Sequence, residues 1–301
     1  MNTVEKIKKL KEEKKAIILA HYYVDEEVQK IADYIGDSFY LAKVASQTEA
    51  DRIVFAGVEF MGESAKILNP NKKVLMPDTF ADCPMAHMIT IKEIKEMREK
   101  YDDLAVVCYI NSTAEIKQYA DVCVTSSNAV KIVKALPQKN IFFIPDQNLG
   151  DFVRKQVPEK NVMTNYGHCP RHTNITLDKL NEAKQKNPEA KIAVHPECKR
   201  EIVEAADFVG STSTIIDYVV QTNAKDFIIG TVDGVFAKIK ELAPNKNLHT
   251  IMDVQVCPNM KKVTLEKIVD VLENDTNEVI LNDDFMQKAL SPLKKMLELA
   301  K

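Results

Sequence analysis

Apolar and polar positions follow two rhythms along this chain, one of short strands and one of helices. Runs such as IILA (17–20), RIVFAG (52–57), LAVVCYI (104–110), IFFIPD (141–146), KIAVH (191–195) and FIIGT (227–231) are nearly continuous in apolar residues. They read as buried strands of parallel sheets, which have no polar face. Helical spacing is found at 3–15, 26–34, 41–50, 61–68, 91–99, 114–119, up to about 134, 149–156, 176–186, 199–205, 214–220, 234–241 and 264–273. Shorter strands are expected at 73–77, 122–125, 161–164 and 208–210, with a weak one near 248–252. A last strand is expected at 278–281, before a closing amphipathic helix at 283–300. Asp25 is placed to cap one helix, and Asn69-Pro70 to stop another. This alternation predicts an α/β protein whose ligands bind at the C-terminal strand ends.

One stretch of this pattern occurs three times. It runs from Ile17 to Tyr40, from Val106 to Ala129 and from Ile192 to Thr214. His21, Tyr109 and His195 each stand 12 residues before an Asp that follows Ala: Asp33, Asp121 and Asp207. Small hydroxyl residues follow those acids: Ser38, Ser126, and the pair Ser211 and Thr212. The spacing predicts three α/β units, at 1–88, 89–172 and 173–301, with opening or closing helices packing on a neighbouring unit.

The cysteines turn the repeat into a site. Cys83-Pro84, Cys169-Pro170 and Cys257-Pro258 lie 26, 24 and 27 residues after Gly57, Pro145 and Gly230, which close equivalent strands. One thiol per unit suits a pseudo-threefold site on a central axis. Three thiolates leave a tetrahedral metal one open position, and the same holds for one iron of a 4Fe-4S cluster. Sulfur-only ligation allows zinc or iron–sulfur. Cys108 and Cys123 sit inside apolar strands and read as core, as does Cys198.

Other polar groups gather at the same strand ends. Ser38, Ser126, Ser211 and Thr212 precede helices, where hydroxyls and free amides hold anions. His21, Tyr23, Tyr109, Asn111, His195 and Glu197 supply acid–base and carboxylate-binding groups. His87, His168 and His172 lie near cysteines in sequence and are candidates for supporting them. His249 reads as surface.

Composition narrows the classes. A net charge of -3 with mixed signs argues against a nucleic-acid groove. The start MNTVEKIKKLKEEKK is a charged helix rather than an apolar leader, and no run reaches membrane-spanning length. The expected setting is the cytoplasm, with thiols reduced, no membrane and no nucleic acid.

Taken in order, AHYYVDEEVQKIADYIGDS, GVEFMGESAKILNP, YINSTAEIKQYADV, TSSNAVKIV, PDQNLG, GHCPRH, HPECKREIVEAADFVGSTS and CPNMKKVTLEKI resemble quinolinate synthase, the A protein of bacterial NAD biosynthesis. The resemblance covers nearly the whole chain. It implies three α/β/α-sandwich domains about a pseudo-threefold axis with a central active site. It implies a 4Fe-4S cluster on Cys83, Cys169 and Cys257, whose fourth iron binds substrate. The implied reaction condenses iminoaspartate with dihydroxyacetone phosphate to quinolinate, phosphate and water. The imine is unstable, so transient contact with an aspartate oxidase or dehydrogenase is implied. By motif position, Tyr23, His21, Tyr109, His195 and Glu197 are catalytic. Ser38, Ser126, Asn111, Ser211 and Thr212 bind substrate alongside them. Glu197 is the candidate general base.

Three departures from the family pattern stand out. His21-Tyr22-Tyr23 replaces His-Asn-Tyr. Gly230-Thr231-Val232-Asp233-Gly234 carries its acid one place late, which is expected to turn it to the other side of the strand end. Cys108 replaces an aliphatic or aromatic residue. Two other readings use the same thiols: a zinc- or iron–sulfur-dependent hydro-lyase, and a non-enzymatic iron–sulfur redox sensor.

Overall fold

A computed structural model describes residues 2–301 and shows three four-stranded sheets of identical strand order. The first holds β1 (Ala16–His21), β2 (Tyr34–Gly36), β3 (Arg52–Ala56) and β4 (Lys73–Leu75), ordered β2-β1-β3-β4. The second holds β5 (Leu104–Tyr109), β6 (Val122–Val124), β7 (Asn140–Ile144) and β8 (Asn161–Thr164), ordered β6-β5-β7-β8. The third holds β9 (Lys191–Val194), β10 (Phe208–Val209), β11 (Asp226–Gly230) and β12 (Asn247–Thr250), ordered β10-β9-β11-β12. Every pairing within these sheets is parallel. Helices flank the sheets, so inner strands such as β5 are buried along their full length.

The repeat has a local cause. Asp33, Asp121 and Asp207 each accept the backbone N–H of a residue in the preceding long strand: Ile18 at 2.7 Å, Val106 at 2.7 Å and Ile192 at 2.8 Å. Their own N–H groups donate to the carbonyls of those same residues, at 2.9 Å in all three copies. This two-bond clasp returns the chain to the sheet edge, where β2, β6 and β10 begin. It also shortens the helix expected over 26–34. That helix is Glu26–Ile31, because Asp33 is held against β1 and β2 starts at Tyr34. The helix expected over 41–50 begins earlier, at Ser38, because the Asp37 side chain caps it by accepting from the Tyr40 N–H.

The C-terminal strand expected at 278–281 does not form. Glu278 makes one antiparallel bridge to Leu75, and no named strand contains it. Asp275 and Asn277 take left-handed backbone angles (φ 53° and 56°), which break the extended run. The helix Leu265–Asn274 packs on the helix Thr3–Lys14 and on β3. The helix Asp283–Leu299 packs on β6 and on the helices Glu59–Leu68 and Ala114–Lys117. Arg52 clamps the first junction, donating to both Asp275 carboxylate oxygens at 2.9 and 3.0 Å.

The apolar interior is divided unevenly. One continuous core joins the first two sheets to the C-terminal helices. The third sheet has two smaller cores, one around Ile192 and Ile228 and the other around Phe227 and Ile229.

Candidate active site

The C-terminal strand ends meet around one cavity of about 160 Å³. β1 ends in His21, β5 ends in Tyr109, and His195 follows β9. Residues from all three sheets line the cavity. His21, Tyr23 and Ser38 come from the first sheet and its loops, Tyr109, Asn111 and Ser126 from the second. His195, Glu197 and Thr212 come from the third, and Cys83, Cys169 and Cys257 all reach the wall. Ser211 does not line it. Its hydroxyl caps the helix Thr212–Gln221, accepting from the Thr214 N–H at 3.4 Å.

His21 and His195 occupy the same repeat position and make the same backbone contact. The Tyr23 N–H donates to His21 Nδ1 at 3.2 Å, and the Glu197 N–H donates to His195 Nδ1 at 3.3 Å. Each Nδ1 is thus an acceptor, and the proton of the neutral ring sits on Nε2. Burial pushes both imidazoles down to about 3, which keeps them neutral. His195 Nε2 donates to Ser126 Oγ at 3.1 Å, joining the third sheet to the second. Asn111 Oδ1 is buried without a hydrogen-bond partner and so offers an acceptor to a bound molecule.

A string of hydroxyls and one imidazole crosses the cavity wall. Tyr23 Oη lies 3.1 Å from Thr212 Oγ1 and 2.6 Å from Thr231 Oγ1. Thr231 Oγ1 lies 2.9 Å from His172 Nε2, and His172 Nδ1 lies 2.7 Å from Glu197 Oε2. Every hydroxyl in the string can donate in either direction, so a proton can pass between Tyr23 and Glu197. Burial alone would raise the Glu197 carboxyl, but its hydrogen bonds from His172 and Tyr109 favour the anion and hold it below its usual range. Burial, then the Glu197 charge, raises the Tyr109 and Tyr23 phenols well above their usual range. Glu197 is therefore an anion among neutral donors.

The three cavity thiols are all free. Burial pushes Cys83 up to about 12 and also raises Cys169 and Cys257. Thiolates therefore need cationic charge beside them, as metal ligation supplies. Cys169 Sγ lies 3.2 Å from His172 Nδ1, and Cys169, His172 and Glu197 bring three ligand atoms within 4.8 Å of one another. Among the described residues, the three cysteine sulfurs do not come that close together. Cys108, Cys123 and Cys198 stay off the cavity wall, buried in the strands and the HPE turn.

Sequence reasoning undervalued several residues. His172 lies at the centre of the site, whereas His87 pairs with Asp82 and the His168 ring meets the nearby Tyr166 carbonyl oxygen. Its signal was its position three residues after a ligand-like cysteine, one helical turn away. Thr231 was visible only within the Gly230–Gly234 segment. Among the described residues, Arg171 is the one Lys or Arg on the cavity wall. Asp146, fully buried, accepts from the Asn148 and Leu149 N–H groups at 2.8 Å and from the Cys169 N–H at 3.2 Å. It ties the Cys169 loop to a helix start, a long-range role that no local pattern discloses.

Two of the departures meet in space. A Cβ at Gly234 would lie 2.3 Å from the Tyr22 carbonyl oxygen and 2.8 Å from Tyr23 Cα, so the chain passes there only as glycine. Gln29 Nε2 staples both segments, donating to the Tyr22, Val24 and Gly234 carbonyls at 3.0–3.1 Å. Val232 lines the cavity, and Asp233 does not.

Known proteins match this chain over its full length. The family described as Quinolinate synthetase A protein matches residues 5–298. A quinolinate synthase of Fusobacterium nucleatum is 58% identical over 296 residues, covering 98% of this chain and 99% of that protein. A quinolinate synthase of Caldicellulosiruptor saccharolyticus is 50% identical over 301 residues, covering 99% of each chain. One from Aquifex aeolicus is 48% identical over 301 residues, covering 98% and 94%. The three-sheet scaffold and its shared cavity thus sit in a chain that belongs to the Quinolinate synthetase A protein family, a family of transferase-class enzymes.

Proposed function

We propose that the chain condenses iminoaspartate with dihydroxyacetone phosphate to quinolinate, phosphate and water, in the synthesis of NAD. The carrying observation is one cavity that gathers three loop cysteines, two neutral imidazoles, an ionised Glu197 and two phenols from three equivalent sheets. We further propose that units 1–88, 89–172 and 173–301 surround it about a pseudo-threefold axis.

The thiols fit a 4Fe-4S cluster better than one ion. A single tetrahedral zinc would draw three thiolates to about 3.8 Å apart, from Zn–S bonds of about 2.3 Å. Among the described residues, the sulfurs of Cys83, Cys169 and Cys257 do not all lie within 4.8 Å of one another. A cluster takes its ligands at separate corners. When bound, it supplies an iron with an open position that polarises a substrate oxygen.

The chain's own groups do the rest. The His21 Nε2–H donates to a substrate carboxylate or carbonyl oxygen, the His195 Nε2–H does so in exchange for its bond to Ser126, and Asn111 orients a substrate donor. Ser38, Ser126 and Thr212 hold the phosphate and carboxylate ends, with Arg171 as the nearby cation. Glu197 accepts a proton from a substrate carbon at its carboxylate. Tyr23 and Tyr109 return protons at their phenolic oxygens, and His172 and Thr231 connect Tyr23 to Glu197. The buried walls keep water from the unstable imine. An oxidase or dehydrogenase acting on aspartate supplies that imine by brief contact. The cytoplasm is the proposed setting; among the described residues no helix is long and apolar enough to cross a membrane.

The test is an anaerobic assay with freshly generated iminoaspartate and dihydroxyacetone phosphate. Quinolinate should form only with protein carrying about four irons and four sulfides, and air should abolish it. Cluster-loaded protein that makes no quinolinate would reject the reading.

A further inference from the structure

Cys169, His172 and Glu197 form a second constellation inside the cavity, which shares only Cys169 with the three cysteines. Cys169 Sγ is 3.2 Å from His172 Nδ1, which is 2.7 Å from Glu197 Oε2, and all three ligand atoms lie within 4.8 Å of one another. Around a tetrahedral zinc, bonds of about 2.3 Å to sulfur and about 2.0–2.1 Å to nitrogen and oxygen separate such ligands by roughly 3.4–3.6 Å. The Cys169–His172 and His172–Glu197 gaps need only widen by less than about 1 Å to admit the ion.

The surroundings suit a mononuclear site. One thiolate, one imidazole and one carboxylate are the mixed set a borderline-soft divalent ion takes. The other ring nitrogen of His172 lies 2.9 Å from Thr231 Oγ1; once an ion takes the place of the Nδ1 proton that faces Glu197, Thr231 can accept from Nε2–H and hold the ring in its ligating tautomer. His172 and Glu197 are almost wholly buried, and all three residues face the cavity, leaving a fourth position for water.

We propose that the cluster-free chain binds one zinc ion through Cys169 Sγ, His172 Nδ1 and a Glu197 oxygen, and that this ion competes with cluster assembly. The zinc site stands on geometry alone; the competition rests on Cys169 also being a cluster ligand. Zinc bound here holds one of the three thiols and both acid–base partners, so the loaded chain is inactive and refuses iron–sulfur.

The experiment uses the full-length chain, freed of cluster anaerobically and titrated with zinc. One zinc per chain is expected, with an X-ray absorption spectrum of one sulfur and three nitrogen or oxygen neighbours. Cys83→Ser should leave that affinity unchanged. His172→Ala should weaken it at least 100-fold, and Thr231→Val by about 10–100-fold, the usual effect of losing a partner that orients a ligand. Three sulfur neighbours, equal loss in Cys83→Ser, or no stoichiometric zinc would overturn the site. Cluster-loaded protein should take up no zinc. If it does, with the same one-sulfur spectrum, the competition and the role of Cys169 in the cluster both fall, while the zinc site survives.

Discussion

The first two sheets and the third are joined to the molecule by different chemistry. The first two share one apolar core, sealed by the helices Leu265–Asn274 and Asp283–Leu299. The third keeps its apolar residues in two smaller cores, touched from the first sheet by Tyr22 and Tyr23, and also meets the others through a set of polar contacts. Those contacts include Tyr23–Thr231, Gln29–Gly234, Asp37–Ser213, Ser126–His195, His172–Thr231 and Asn148 to the Glu197 carbonyl. Ion pairs that include Asp151–Arg200, Lys155–Glu204 and Asp25–Lys261 extend the seam. Interfaces of this polar kind permit relative motion, whereas a shared core does not. The cavity lies on that seam, so the groups that would touch substrate also hold the third sheet in place.

The largest effect should come from the acid on the seam. Glu197→Gln should lower kcat by about 10²–10⁴-fold, the range for removing a general acid–base group. Its iron and sulfide content should remain that of the parent. A normal rate would remove Glu197 from catalysis.

Cutting the two kinds of core should separate them. Phe143→Ala, in the shared core, and Phe227→Ala, beneath the third sheet, should each cost about 3–5 kcal/mol. Calorimetry should show one shifted transition for Phe143→Ala. For Phe227→Ala it should split, with amide exchange rising first in residues 191–250. A single transition in both variants would mean the seam couples the parts as tightly as a core.

The clamp on the C-terminal segment should show in the pH dependence of stability. The Arg52 hydrogen bonds, helped by Lys73, hold the Asp275 carboxyl well below its usual range. A depressed carboxyl stabilises the fold fully above its unfolded value near 3.8. That contribution is lost as pH falls through lower values. Asp275→Asn should cost about 1–2 kcal/mol at neutral pH, discounted for partial exposure, and nothing in strong acid. Chemical denaturation at several pH values measures both, and a pH-independent loss would rule out the ion pair as its cause.

The smallest effect should come from one seam hydrogen bond. Ser213 Oγ donates to Asp37 Oδ2 at 2.7 Å, bridging the starts of two helices beside the cavity. Ser213→Ala should cost about 0.5–1.5 kcal/mol. It should raise KM more than it lowers kcat if the seam sets substrate binding. Unchanged KM would confine the bond to stability.

Much of the fold was readable along the chain because its signals are local. Apolar runs marked the buried strands, and the Asp33, Asp121 and Asp207 spacing marked three clasps that close within fifteen residues. The strand at 278–281 misled because its apolar run is real, while the left-handed turns at Asp275 and Asn277 leave it only one bridge to β4. The resemblance picked out cavity residues at the right strand ends, since those positions recur in order. Ser211 shows the limit: from spacing alone, a capping hydroxyl looks the same as one that faces a ligand.

What the sequence by itself determined was the set of parts: three parallel α/β units, one Cys-Pro loop in each, and polar groups at the strand ends. Periodicity, caps and short-range hydrogen bonds specify these without reference to the rest of the chain. Only the tertiary structure decided how the parts meet. It placed His172 between Cys169, Thr231 and Glu197, and it set Val232 rather than Asp233 on the cavity wall. It also sealed the first two sheets with the chain's end and left the third on a polar seam. Such contacts join residues up to more than two hundred positions apart, as Tyr23 and Thr231 are, and no periodicity in the sequence records them.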